Sequence, residues 1–374
     1  MIIDWQSAVP GVRPPSAPPT PAWPVELTGV FADTLACEYA SLTGDGRPVT
    51  WAVTPYVGER TLDVSTGLSY PQKAERARRN PRIALLFSDL SGRTGDDTTV
   101  VLVEGLADVR DADLQANTDR YVRESLARGQ GLQGQPWWVL KRMGWYFARI
   151  WVGLTPIRVT WWPDGRLDQG PRVWEPVVPP IAPPSDPRPA PTPAAVPASE
   201  PAPGPRRPGS SVVLHGGARR LGSGRQPGPS RAPVDWRPFA DRAARLGTPV
   251  VTMVAHGGPL PLRAVSAERT EHGYRLVLPA GTDPLPGPVC LTFHRVGAGL
   301  AWQENVVLVG SGVPAGGSLD VVVERPLTDW SLPAGGAVQR IRAFTGPSRR
   351  LRRRLAIEAA RRGQPVPTVR RVGG

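Results

Sequence analysis

One stretch of the sequence decides the fold prediction: Leu62-Asp63-Val64-Ser65-Thr66-Gly67-Leu68-Ser69-Tyr70-Pro71-Gln72-Lys73-Ala74, followed after five residues by Asn80-Pro81-Arg82-Ile83-Ala84-Leu85-Leu86-Phe87. Its two ends are rich in β-branched and large apolar residues, which favour strands. Between them, residues 72–79 predict a short helix that Asn80-Pro81 ends, because the residue before a proline avoids the helical conformation. The stretch therefore predicts strand, loop, helix and strand.

The loop of this stretch contains residue types that hold a phosphate group. Ser65, Thr66 and Ser69 offer hydroxyl and backbone N–H groups, and the start of a helix at Gln72 adds positive potential. Lys73 adds a formal cation, and three arginines of the same helix raise the local positive potential further. The residues alone leave a second interpretation open, a polar strand–helix loop whose helix happens to begin with Gln-Lys.

The flanking segments extend the strand pattern in both directions. Gly44, Gly46 and Gly58 separate short β-rich runs, as hairpin turns require, and a longer amphipathic helix is predicted over 111–128. Six or more short strands with one or two short helices predict a mainly β domain, a small six-stranded barrel of the Greek-key type. The predicted strands are 36–42, 48–57, 61–65, 83–87, 100–103 and two final strands within 145–162, broken at Pro156.

A second region repeats this order of strands. Gly46-Arg47-Pro48-Val49 corresponds to Gly257-Gly258-Pro259-Leu260, and three later strand segments match at offsets between 206 and 214 residues. Four matches in one order predict an internal duplication whose second copy lacks eight residues in the stretch that holds Lys73. The predicted organisation is a Pro-rich arm (1–24), a first barrel (25–175), a Pro-rich disordered linker (176–234), a degenerate second barrel (235–340) and a basic helix and tail (341–374).

The first region resembles the FMN-binding split β-barrel family, which includes pyridoxamine 5′-phosphate oxidase and the deazaflavin-dependent (F-420) reductases. A strand that ends in Thr66, a lysine seven residues later and Asn80-Pro81 at the next strand carry the resemblance. The resemblance is clear over about residues 30–165 and weak over 250–315. The order in which the motifs occur is more specific than any single motif. It implies two split β-barrel domains joined by the linker.

The resemblance also implies a cofactor, FMN or a deazaflavin coenzyme of the F-420 type. The residues that would bind it are Lys73, Ser65, Thr66 and Ser69 at the phosphate, Thr50, Val53 and Thr54 along one face of the ring, and Asn305 across the interface. An alternative for Asn305 is an ordinary polar residue at the end of a strand. Family members are homodimers with the cofactor at the subunit interface, so a tandem copy predicts an internal pseudo-dimer with one working site.

Two departures from the family pattern limit what is implied. Oxidases of the family often have an arginine directly before the lysine, where this chain has Gln72, and a neutral amide replaces a bidentate cation there. The C-terminal Trp and Arg pattern with which pyridoxamine phosphate oxidases hold their substrate is missing, so that specific activity is not expected.

The implied function is hydride transfer to or from a small organic substrate. Because the cofactor itself carries such chemistry, the sequence nominates no catalytic acid or base. Two alternatives remain open: a non-catalytic flavin- or ligand-binding protein, and a nucleic-acid-associated protein that acts through its arginine-rich tail.

Charge and composition limit which functions and locations are expected. The chain has 45 Lys+Arg and 32 Asp+Glu, and segment 340–374 alone holds 11 arginines and one acid. A helix predicted from Arg349 to about residue 362 is either a solvated basic helix or a contact for nucleic acid or an anionic surface. Two cysteines and four scattered histidines offer no metal-ligand spacing. With no export signal and no apolar run long enough for a membrane span, the expected location is cytoplasmic.

Overall fold

A computed structural model of the chain describes residues 22–88, 93–128, 137–176, 235–327, 331 and 348–371. The fold is mainly β and contains two curled antiparallel sheets, which confirms the predicted class. The predicted arm (1–24) and linker (176–234) lie almost wholly outside the described residues.

The first sheet contains eight strands in the order β2-β1-β5-β6-β7-β4-β3, with β8 paired to β7. Their bounds are β1 Cys37–Leu42, β2 Pro48–Val53, β3 Pro55–Val57, β4 Leu62–Gly67, β5 Arg82–Phe87, β6 Val100–Arg110, β7 Arg149–Trp162 and β8 Arg172–Trp174.

The second sheet contains seven strands in the order β10-β9-β13-β14-β15-β12-β11, which is the same order shifted by eight strand numbers. Both counts agree with the expectation of six or more short strands, although each sheet exceeds the six strands of the predicted barrel type. The bounds are β9 Val250–Ala255, β10 Gly258–Arg263, β11 Ser266–Arg269, β12 Gly273–Val277, β13 Gly287–Val296, β14 Gln303–Ala315 and β15 Ser318–Pro326.

The first half contains five α-helices, more than the one or two that the sequence predicts, whereas the described part of the second half, 235–327, contains one. Asp113 caps the longest helix of the first half, where its carboxylate accepts a hydrogen bond from the backbone N–H of Ala116 at 2.8 Å. The helices are α1 Thr28–Asp33, α2 Gln72–Arg79, α3 Leu114–Ala127, α4 Trp137–Arg142, α5 Gly144–Phe147, α6 Arg237–Ala244 and α7 Ser348–Arg361.

Two predicted strand boundaries are wrong. The run 48–57 forms two strands, since the pairing with β1 ends at Val53 and β3 pairs with β4 instead. The segment 145–162 contributes one long strand, not two, because Pro156 pairs with Gly105 at a register shift in the β6–β7 ladder. A bulge accommodates a proline that cannot donate to the ladder, so the strand bends there and continues.

The two sheets pack against each other. Strand β2 of the first sheet contacts β13 of the second, and β10 of the second sheet contacts β5 of the first. One buried apolar cluster contains Leu86 and Trp162 from the first sheet together with Val250 and Phe293 from the second. A separate core lies within the first half.

The C-terminal helix α7 packs on the first half. Leu351, Leu355 and Ala359 recur every four residues and are buried, and the last two belong to the core of the first half. The helix is therefore not solvated on all sides, because its apolar stripe faces the protein while Arg350, Arg352, Arg353 and Arg361 are exposed. Among the described residues, no helix is long and apolar enough to cross a membrane.

Candidate phosphate-binding site

The loop between β4 and α2 is held by pairing on one side and by its own hydrogen bonds on the other. In the ladder of β4 and β7, Gly67 lies opposite Arg149. Tyr70 then donates its backbone N–H to the carbonyl of Gly67 at 2.8 Å, and Thr66 donates its hydroxyl to the carbonyl of Tyr70 at 3.0 Å. These bonds fix a tight turn, after which α2 begins at Gln72.

Three partly buried cations converge beside this loop: Lys73 and Arg76 from α2, and Arg149 from β7. Burial, together with the positive charges of Arg149 and Arg76, lowers the pKa of Lys73 to about 8. Burial also lowers the pKa of Arg76, and the neighbouring Arg79 contributes. None of the three makes a salt bridge to a carboxylate in the part of the chain that the structure describes. Burial alone would lower the pKa of Arg149, but Tyr121, Tyr146 and Tyr56 raise it above its ordinary value.

Arg149 is oriented by aromatic neighbours. Its guanidinium donates to the Tyr121 hydroxyl at 2.9 Å and lies 4.1 Å from the centre of the Tyr121 ring and 4.8 Å from that of Tyr146. A Cβ atom at Gly67 would lie 3.1 Å from Arg149 Nη1, so a larger residue there would displace the guanidinium. The buried Nε of Arg149 has no acceptor among the described residues. A donor in that state fits an anionic ligand.

The other residues predicted at the phosphate lie on the same segment. Ser65 is partly buried opposite Trp151, whereas Thr66 and Ser69 are buried. The Ser69 hydroxyl donates to the carbonyl of Leu351 in α7 at 3.2 Å. Ser65, Thr66, Ser69 and Lys73 therefore lie on one segment, and the C-terminal helix contacts that segment at Ser69.

The residues predicted along the cofactor ring lie in different surroundings. Thr50 is fully buried, and its hydroxyl hydrogen-bonds to that of Thr252 in the second sheet. Its carbonyl accepts a hydrogen bond from Thr292 at 3.2 Å. Val53 is buried at the end of β2, and Thr54 is partly buried between β2 and β3. The Thr50 side chain thus contributes to the contact between the sheets.

Asn305 lies in the second sheet at the start of β14, paired with His294 of β13. Its side-chain oxygen accepts a hydrogen bond from Gln303 at 3.1 Å, and its carbonyl accepts one from Arg242. These bonds hold Asn305 within the second half, while Lys73 and the hydroxyl residues lie in the first.

Several solved structures are similar to part of this chain. An F-420 reductase matches with 18% identity over 37% of this chain and 98% of its own, at a TM-score of 0.29. A protein of the pyridoxinephosphate oxidase family from Clostridium acetobutylicum, related to general stress protein 26, matches with 12% identity over 40% and 92%, at a TM-score of 0.27. A heme binding protein from Mycobacterium smegmatis matches with 16% identity over 41% and 59%, at a TM-score of 0.27.

The chain is similar to split-barrel proteins of the pyridoxinephosphate oxidase type. No protein-family model and no curated protein matches the sequence. At these identities, the cofactor and the chemistry have to be argued from the residues of this chain.

Sequence reasoning counted Arg76 only among three helix arginines that raise the local positive potential, and it assigned no role at this site to Arg149 or α7. Arg76 could have been placed there, because it lies one helical turn after Lys73 and shares its side of α2. Arg149 is 76 residues away from Lys73 in the sequence, and only the pairing of β7 with β4 brings it to the loop. The docking of α7 depends on contacts between segments far apart in the sequence, such as that of Ser69 with Leu351.

A buried hydrogen-bonded pair, Glu38 and His294, joins the two sheets. Glu38 Oε1 lies 2.7 Å from His294 Nε2, and neither side chain is exposed to solvent. Ser88 donates its hydroxyl to the same carboxylate oxygen at 2.8 Å. Burial alone would raise the pKa of Glu38, but the hydrogen bond and charge of His294, with help from Arg263 and Ser88, hold it below its ordinary value.

Proposed function

We propose that the first half binds FMN or a deazaflavin coenzyme of the F-420 type, with the cofactor phosphate at the loop before α2. The observation that supports this most strongly is the group of three cations, Lys73, Arg76 and Arg149, with no acidic partner among the described residues. Burial and the positive charges of Arg149 and Arg76 lower the pKa of Lys73, so the charged ammonium is disfavoured in the ligand-free protein, and a phosphate beside it would remove part of that cost.

The donor set fits such a group. Lys73 and the guanidinium groups supply charge-assisted hydrogen bonds, the unpaired Nε of Arg149 supplies a further donor, and Ser65 lies beside them. The small residue at Gly67 leaves room for Arg149 to stay in place. When bound, a flavin or deazaflavin supplies the hydride chemistry, while these residues hold and orient it. The proposed activity is hydride transfer with a small organic substrate.

We further propose that the two halves are copies of one ancestral domain and pair as an internal pseudo-dimer. Their identical strand order supports the duplication. The reciprocal contacts, β2 with β13 and β10 with β5, are those expected of a two-fold arrangement, since β13 and β10 correspond to β5 and β2. The nine residues that connect β12 to β13, 278–286, contain no helix that would correspond to α2. Because the second half lacks this helix, the proposed pseudo-dimer has one cationic site of this kind among the described residues, in the first half.

A second candidate function concerns the outer face of α7. Arg350, Arg352 and Arg353 are exposed there, and this supports association with nucleic acid. Affinity for single-stranded DNA that falls steeply with added salt, and that is lost after deletion of residues 341–374, is the expected result for this function. Affinity that survives the deletion would contradict it.

The principal proposal is tested with the purified full chain. Its absorption spectrum, followed by titration with FMN and separately with the F-420 coenzyme, identifies which of the two binds. Saturable binding of one of them near one molecule per chain is the expected result. Reduction of the bound cofactor by a hydride donor, followed by its reoxidation, then separates a catalyst from a binding protein. Failure of both compounds to bind would refute the proposal.

A further inference from the structure

The C-terminal helix forms one wall of a cavity beside the proposed phosphate loop. This cavity, of about 330 Å³, is lined by Ser69 and Gln72 from the loop and the start of α2, and by Arg354 from α7 among others. The hydrogen bond from the Ser69 hydroxyl to the carbonyl of Leu351 fixes the distance between the helix and the loop. A residue near the end of the chain therefore shares a cavity with the segment that the cofactor phosphate would approach.

The acidic residue of this cavity is already neutralised. Glu358 pairs with Arg361 at 2.8 Å and with Arg362 at 2.9 Å. Arg362 also contacts Asp111 at 2.8 Å and Glu75 at 2.7 Å. Both arginines are paired with carboxylates of the protein, and Arg362, directly after α7, connects this helix to α2 and to the segment before α3.

Arg354 differs from both of them. It makes no ion pair with a carboxylate in the described ranges, and its guanidinium lies 5.0 Å from the centre of the Tyr70 ring. Stacking on an aromatic face orients a guanidinium while its N–H groups remain available to a ligand. The side chain is only partly exposed, so it is held at the cavity and does not extend into solvent.

We propose that Arg354 is a cofactor phosphate ligand, which supplies from the C-terminal helix the cation that Gln72 does not supply from α2. This inference rests on the proposed function. Gln72 precedes Lys73, at the position where an arginine would strengthen the phosphate clamp, and Gln72 and Arg354 line one cavity. A planar guanidinium binds a phosphate with two parallel hydrogen bonds, so one arginine from the opposite wall can replace the missing one.

The test is the affinity of full-length variants for FMN and for riboflavin, which lacks the phosphate. Arg354→Gln is expected to raise the Kd for FMN about tenfold or more and to leave that for riboflavin unchanged. Arg352→Gln removes the same charge from the exposed face of α7 and is the matched control, with no expected effect. Arg354→Lys keeps the charge and should lose less affinity. Gln72→Arg in the Arg354→Gln background should restore FMN binding.

The outcomes separate this inference from the function on which it rests. Arg354→Gln overturns the inference if FMN binding is unchanged while Lys73→Met weakens it, and the proposed function then stands. Equal losses for FMN and riboflavin, or an equal loss in Arg352→Gln, overturn it as well, because the effect is then structural or non-specific. If the unaltered chain binds neither FMN nor the F-420 coenzyme, both proposals are wrong.

Discussion

Replacing Lys73 by Met removes one cation from the candidate site and keeps much of its length. In the proposed complex, Lys73 makes a charge-assisted hydrogen bond to the cofactor phosphate, and such bonds contribute about 1.5–3 kcal/mol. At tenfold per 1.4 kcal/mol, the Kd for FMN should rise roughly 10- to 150-fold. Riboflavin carries no phosphate, so its Kd should not change. Fluorescence titration of the flavin measures both constants.

The same substitution should have the opposite effect on the stability of the ligand-free protein. The decrease of the Lys73 pKa from 10.5 to about 8 corresponds to roughly 3 kcal/mol against the charged form, and partial exposure to solvent reduces this figure. Removing the charge relieves the repulsion from Arg76 and Arg149. We therefore expect the Tm of ligand-free Lys73→Met to be higher than that of the unaltered chain by a few degrees.

Lys141→Met is the matched control, because Lys141 is the other lysine of the chain and lies exposed on α4. It should alter neither the affinity for FMN nor the Tm. The reasoning is refuted if Lys73→Met binds FMN as tightly as the unaltered chain does. It is also refuted if the loss of affinity is the same for riboflavin.

Three further predictions follow from the charges. Because the pKa of Lys73 is about 8 without ligand, affinity for FMN should fall as the pH rises above 8. Below about pH 6 it should fall again, because the FMN phosphate takes up a proton there. Lys73→Arg should show no decrease between pH 8 and about pH 10, and a flat profile for the unaltered chain over that range would contradict the role of Lys73. Glu38→Gln leaves His294 without its anionic partner and should lower the free energy of unfolding by about 3–5 kcal/mol. Since the folded-state pKa of Glu38 is lowered, the contribution of this carboxylate to the free energy of unfolding is present above pH 4.5 and is lost as pH falls. Denaturant melts should therefore show that the stability of Glu38→Gln depends less on acid pH than that of the unaltered chain. Parallel plots of stability against pH for the two proteins would contradict this prediction. Arg362→Met should release α7, because it removes the ion pairs with Glu75 and Asp111. Limited proteolysis followed by mass spectrometry should then show that residues 348–371 are cleaved several-fold faster. An unchanged rate of cleavage would show that these ion pairs do not hold the helix.

Local patterns account for the parts of the fold that the sequence predicts. The helix Gln72–Arg79 was predictable because Asn80-Pro81 stops it, and the strands on either side follow from β-branched and aliphatic residues. The mainly β class and the equal order of strands in both halves also follow from such runs, since each pair of matched segments lies in corresponding strands.

What the sequence does not predict depends on contacts between distant segments. The bend at Pro156 continues the strand only because Gly105 of β6 lies opposite and the ladder shifts there. Arg149 lies near Lys73 only because β7 pairs with β4. The helix α7 packs near the loop through an apolar stripe, which is hard to recognise in the sequence because arginines surround it. Thr50 looked suited to a cofactor face, but its burial depends on the packing of the second sheet, which local patterns do not encode.

The most direct test of the central claim is the ratio of the Kd values of the unaltered full-length chain for riboflavin and for FMN, measured by isothermal titration at pH 7. If the cations beside the loop hold the cofactor phosphate, FMN should bind at least tenfold more tightly than riboflavin, and the difference should shrink as salt is added. Equal affinities for the two compounds would contradict the claim that this site binds a phosphate.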